Sequence, residues 1–245
     1  MSKPWLLLVA AGVIGCGGGQ GAGSTSPPDM TPVSTSIVGQ HGRVVDYFNL
    51  TPLAGFTVTD GANSATTDAD GVFVLPAPTD TPLAPTVTGP SYSTLQLAAA
   101  HAAADDMDLG PITIPSSATF GTELSVLGAD QSKALVQVII IPTGACTSLA
   151  GGTLTVQSPS DASVAYFSPS GFPVADVFYD VMSHRPTAVL FNVEPGAAIE
   201  VEMNHPTCKL APKGTAYNGA IYDGVAKTVA TEPGDNNEAL VLLAE

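Results

Sequence analysis

Basic residues are scarce in this chain: 7 Lys and Arg stand against 22 Asp and Glu in 245 residues, a formal net charge of -15. With no Lys/Arg cluster to reverse that field locally, a polyanion such as DNA is repelled, and nucleic acid is not an expected partner. The acidity itself serves solubility. Charged residues of both signs make up only 12% of the chain, aromatics 6%, and there is a single Trp. What fills the space is Gly (25), Pro (21), Ser, Thr and Ala, with β-branched residues in short runs. That composition predicts a secreted, β-rich protein with many turns and few helices. The length suffices for two small domains or one large all-β domain.

No long hydrophobic run occurs either. The stretch Trp5 to Ile14 follows a short polar start with one Lys, and is too short to span a bilayer as a permanent helix. Residues 1–15 therefore read as a signal peptide. It ends in Val13-Ile14-Gly15-Cys16, which resembles the lipobox of bacterial lipoproteins: an aliphatic residue, a tolerant position, a small residue, then cysteine. The resemblance implies that Cys16 is the lipidation site, its thiol accepting diacylglycerol before cleavage, with a second acylation completing the anchor. Residues 17–36, rich in Gly, Ser, Thr and Pro, offer almost nothing to bury and form a tether with a root-mean-square reach of about 25 Å. No Asp follows Cys16, which leans toward the outer membrane, on its periplasmic face or at the cell surface.

From Ile37 to about Pro115, runs with partial period-two alternation predict strands at Ile37 to Val45, Phe56 to Thr59, Ser64 to Thr67, Val72 to Leu75, Thr86 to Thr88, Leu95 to Ala98 and Met107 to Ile114. Gly42-Arg-Val44, Pro52-Leu-Ala-Gly-Phe-Thr-Val58, Thr67-Asp-Ala-Asp-Gly-Val-Phe73 and Gly89-Pro-Ser-Tyr92 together resemble the carboxypeptidase regulatory-like domain. That family implies a transthyretin-like β-sandwich and an accessory or structural module. Residues 116–245 show the same texture, with strands expected at Val136 to Ile141, Thr153 to Gln157, Val164 to Phe167, Val177 to Tyr179, Ala188 to Val193, Ile199 to Met203, Ala220 to Asp223 and Ala239 to Leu243. They read as a second sandwich, similar to a diverged copy of the first. The expected architecture is thus all-β, two tandem transthyretin-like or Ig-like sandwiches behind a signal peptide and flexible linker.

Once Cys16 carries lipid, two cysteines remain, Cys146 and Cys208, and export through an oxidising compartment favours their pairing over buried free thiols. Asp68-Ala-Asp-Gly71 starts like a calcium loop but has Gly fourth instead of sixth and Thr79 where a bidentate Glu belongs, so it reads as a turn. His41, His101, His184 and His205 are scattered without zinc spacing. His205-Pro-Thr-Cys208 fails as a copper site because no His or Met follows the Cys. No nucleophile elbow, metalloprotease helix or phosphate loop appears, so no catalytic residue, metal ligand or cofactor site is assigned. The leading expectation is a non-enzymatic structural or binding module for protein or glycan at the cell envelope. The alternative is a pair of accessory domains in a secreted hydrolase or uptake system. Its cryptic acidic site would be drawn from Asp176, Asp180, Glu200 and Glu202.

Overall fold

Short β-branched runs broken by Gly and Pro become strands along most of the chain. The computed structural model describes residues 37–245 apart from 62, 79–81, 103–105, 159–160, 181–185, 217–219, 224–225 and 229–235. The expected leader and tether, with Cys16, lie outside the described residues. The first half runs β1 (Ile37–Asp46), β2 (Thr57–Asp60), β3 (Asn63–Thr66), β4 (Val72–Pro78), β5 (Thr86–Thr88), β6 (Thr94–Gln96), β7 (Ala100–Ala102) and β8 (Asp106–Ile114). A helix, α1 (Ser117–Leu127), leads into β9 (Ala134–Pro142), β10 (Thr153–Ser158), β11 (Ser163–Phe167), β12 (Pro173–Ala175), β13 (Ala188–Val193) and β14 (Ala198–Asn204). The remainder is β15 (Leu210–Ala211), β16 (Lys213–Ala216), β17 (Ala220–Asp223), β18 (Ala226–Thr228) and β19 (Asn236–Ala244). The protein is an all-β sandwich structure.

The largest sheet has the order β12-β11-β13-β9-β19-β6-β5-β2-β3, with β15 also on β19. A three-stranded sheet, β4-β1-β8, encloses a first core against it; another, β10-β14-β18, encloses a second. β8 ends at Ile114, and the two cores share strands from the second half of the chain. β9 and β19 pair in parallel from Asn237 opposite Leu135 to Ala244 opposite Pro142. Along β19, Ala239, Val241 and Leu243 enter the first core while Leu240, Leu242 and Ala244 enter the second. β9 does the same, with Val136, Val138 and Ile140 on one side and Ile139 and Ile141 on the other. Strand side chains alternate between faces, so an unbroken apolar run is what a strand covered on both faces requires.

Helix α1 is an addition to the expected strands. Ser116 caps it by accepting from the Thr119 amide, and Gly128 ends it in the left-handed conformation at φ 61°. Phe120 and Leu124 pack with Tyr47, Leu135, Phe167 and Val189 in a third, smaller core. The expected strand at Val177 to Tyr179 does not form; β12 lies just before it instead. The Phe178 main chain bonds the loop at Gly151 and Gly152 (both 2.9 Å), and its ring stacks on Tyr166. Thr67 also leaves β3, because its hydroxyl donates to the Leu53 carbonyl (2.6 Å) and accepts from the Phe56 amide (2.9 Å).

The motif residues of the first region meet one another in space. Gly42 lies so close to Phe73 that an added Cβ would stand 2.6 Å from its ring. Val44 donates to the Gly71 carbonyl (2.8 Å) and accepts from the Leu53 amide (3.0 Å). Tyr92 stacks edge-on against Phe56 and donates to Asp46 at 2.9 Å, and burial with that carboxylate pushes its phenol up to about 12. Gly71 has φ 74°, and a Cβ there would fall 2.4 Å from the Val44 carbonyl oxygen. Gly71→Ala is therefore expected to destabilise by about 2 kcal/mol or more, lowering Tm by roughly 4–8 °C. Gly61→Ala, at φ 57° with open space around it, is the control for φ alone. Calorimetry of the two variants checks this; equal losses would refute the close-approach argument.

Candidate functional site

Of the four acidic candidates only Glu200 and Glu202 share a groove. β14 alternates exposed and buried, so Glu200 and Glu202 face outward while Ile199, Val201 and Met203 face the core. Gln157 donates to Glu202 at 3.0 Å, and both glutamates line an open groove of about 570 Å³ that Lys209 also lines. Asp180 is already engaged as a loop tie: it accepts from the Ser148 hydroxyl (2.8 and 3.0 Å) and the Leu149 amide (3.0 Å). Asp176 is exposed. Paired-carboxylate hydrolysis needs two carboxyl groups flanking one bond. Here one acid holds a loop and two sit side by side on an outer face.

Cys146 and Cys208 are joined in a disulfide with their Cα atoms 5.2 Å apart, both buried in the second core. The bridge ties the loop after β9 to the segment before β15, beside the loop that Asp180 holds. His205 accepts at Nδ1 from the Cys208 amide (3.0 Å), closing the turn that delivers the cysteine. The role is that of a turn residue. Asp68 accepts at Oδ1 from the Asp70 and Val72 amides, both at 2.9 Å, which is the turn expected from its sequence. Among the described residues no group of three or more His, Cys, Asp and Glu is placed to hold a metal ion. His184 lies outside the described residues, as does Cys16.

Gln40, on β1, is 0% exposed with neither amide atom partnered among the described residues, and two further polar side chains that sequence reasoning passed over are buried where apolar ones would be expected. Glu123, on α1 between Phe120 and Leu124, is 1% exposed, and its Oε1 has no hydrogen-bond partner among the described residues. Burial pushes its carboxyl up to about 8. Gln137, in the middle of β9, is likewise 1% exposed, with neither amide atom partnered among the described residues. It lines a half-open pocket of about 30 Å³ between β8 and the β6-β19-β9 part of the large sheet. The sequence does carry signals for both: one acid at helical spacing among apolar residues, and one amide interrupting the most apolar strand.

No family model and no curated protein matches the chain. Solved structures do. A cohesin–X-dockerin complex from Acetivibrio cellulolyticus is similar over 41% of this chain and 74% of that one, with 17% identity and a TM-score of 0.29. The shaft pilin SpaA of Lactobacillus rhamnosus GG is similar over 86% of this chain and 98% of that one, with 14% identity and a TM-score of 0.22.

Proposed function

We propose that the chain is a bacterial envelope lipoprotein, held by lipid on Cys16, whose fused sandwiches form a rigid non-catalytic body that presents surfaces to a protein or glycan partner. The observation that supports this best is the β9–β19 pair. By burying both faces of the same two strands, it fixes one core against the other, which suits a spacer or binding module held off a membrane by a flexible tether. The lipobox at Val13 to Cys16 supplies the anchor and the missing Asp after it favours the outer membrane. The carboxypeptidase regulatory-like pattern of residues 42–92, whose pieces pack on one another, fits an accessory role. The hydrolase alternative loses ground because Asp180 is committed to its loop and Glu200 and Glu202 face outward.

Intact mass and detergent-phase partitioning of the full chain, compared with Cys16→Ser, test the anchor. The wild type is expected in the detergent phase with the mass of a cleaved, acylated chain, and the variant in the aqueous phase. An uncleaved, unlipidated wild type refutes the proposal.

A further inference from the structure

Strand β4 reads Val72-Phe-Val-Leu-Pro-Ala-Pro78, apolar at every position, the pattern of a strand covered on both faces. Within the chain only one face is covered. Phe73 and Leu75 are buried in the first core, while Val72 and Val74 are 36% and 51% exposed on the outside of the β4-β1-β8 sheet. Ile37 of β1, 75% exposed and in register with Pro78, extends the same face by alternation. Along β1 the face continues with His41 opposite Val74 and Arg43 opposite Val72. On β8 it ends with half-buried Asp108, in register with His41, and exposed Pro111, in register with Arg43. β4 is the end strand of this sheet, but its edge is poorly fitted for pairing. The Val72 amide donates to Asp68 Oδ1 and its carbonyl accepts from the Asp68 amide, both at 2.9 Å, and Pro76 and Pro78 have no N–H to give. The missing cover therefore comes against the face.

Resting on the lipid-anchored reading above, we propose that this face lies on a zwitterionic phospholipid surface. Residues 17–36 enter the fold at Ile37, at the rim of the face itself. A tether of about 25 Å thus delivers this sheet to the headgroups at high effective concentration, so shallow contacts suffice. Ile37, Val72 and Val74 bury their apolar groups at the boundary between headgroups and acyl chains. Arg43, whose Nε donates to the Asp70 carbonyl at 2.8 Å, meets the headgroup phosphate, and Asp108 the ammonium. A face with both signs fits a zwitterion. An anionic bilayer is disfavoured by the net charge of -15 and by Asp68 and Asp70 in the turn beside Val72.

Trp5 is the one Trp of the chain and leaves with the expected leader, so a Trp placed in the mature protein reports alone. Val74→Trp is purified as the processed lipoprotein and reconstituted in phosphatidylcholine vesicles, with or without bromine on the acyl chains. Its emission is expected to shift to the blue and to be quenched about twofold or more by the brominated lipid. The control is Thr155→Trp, exposed on β10 in the sheet that packs on the opposite side of the large sheet, and it should stay unquenched. Adding Val72→Asp to Val74→Trp should restore most of the emission, with Tm recorded to show the fold intact. Vesicle flotation separates the two readings. Protein that floats while Val74→Trp stays unquenched overturns the docking and leaves the anchor standing. A blue shift without quenching shows a protein cover, a second copy included, and overturns it, as does equal quenching of Thr155→Trp. A chain that does not float fails the anchor, and the docking with it.

Discussion

Between about pH 5 and about pH 9 the folded protein is expected to lose Tm steadily, by roughly 10–20 °C, and Glu123→Gln to remove most of that loss. The sign follows from where the proton sits. Folded Glu123 titrates near 8, whereas the unfolded chain releases the same proton near the ordinary value of 4.5. Through that interval the folded state binds more protons than the unfolded one, so stability falls as pH rises. It is fully present below the lower value and levels off above the upper. The full penalty is on the order of 5 kcal/mol, set by desolvation of a carboxylate packed beside Phe120 and Leu124. Glutamine keeps the shape and cannot ionise. Tyr92, at about 12, and Asp130, held low by hydrogen bonds from Ser132, titrate outside the window. Calorimetry across the pH series decides the matter, and a wild-type profile as flat as that of the variant would refute it.

Removing the disulfide is expected to have an effect of similar size. Cys146 and Cys208 are 62 residues apart, and closing a loop of that length restricts the unfolded chain by about 4 kcal/mol. A Cys146→Ala/Cys208→Ala variant should therefore melt roughly 8–16 °C lower. The buried sulfurs add a second consequence: the bridge should resist mild reductant in the folded protein and yield once denaturant is present. A shift in Tm below about 2 °C would show that the closed loop contributes little to this fold. The pH profile of the double variant should keep the slope due to Glu123, because the helix core and the second core are separate clusters.

Period-two alternation is enough to place most strands, and Thr86–Thr88, Ala188–Val193 and Ala220–Asp223 fall where the pattern puts them. Where it fails, tertiary contacts outweigh local pattern. Val177 to Tyr179 has strand-like composition, but Phe178 pairs with a glycine loop. Helix α1 contains Thr, Ser and Gly, and only Phe120, Glu123 and Leu124 of it are buried, too thin a stripe to announce itself. The fusion of two sandwiches is legible in principle. Ala134 to Pro142 and Ala239 to Leu243 are nearly unbroken apolar runs, the signature of strands with two covered faces, whereas single-sandwich strands such as β14 alternate. The site is less legible than the fold. Charge draws attention to Asp176, Asp180, Glu200 and Glu202, while the buried polar groups without a partner among the described residues, Gln40, Gln137 and Glu123, are hidden in apolar context. Only burial distinguishes a solvated acid from a desolvated one.

The parallel pairing of β19 with β9 also governs when this protein can fold. Loop closure between residues about a hundred apart must be accomplished before either sandwich gains its central strand, so neither core closes until residues 236–244 have been synthesised. Until then the largest sheet lacks the strand that joins β9 to β6. For the lipoprotein proposed above, which would cross a membrane unfolded, that delay is an advantage, because the topology itself postpones collapse into a shape that could not be threaded.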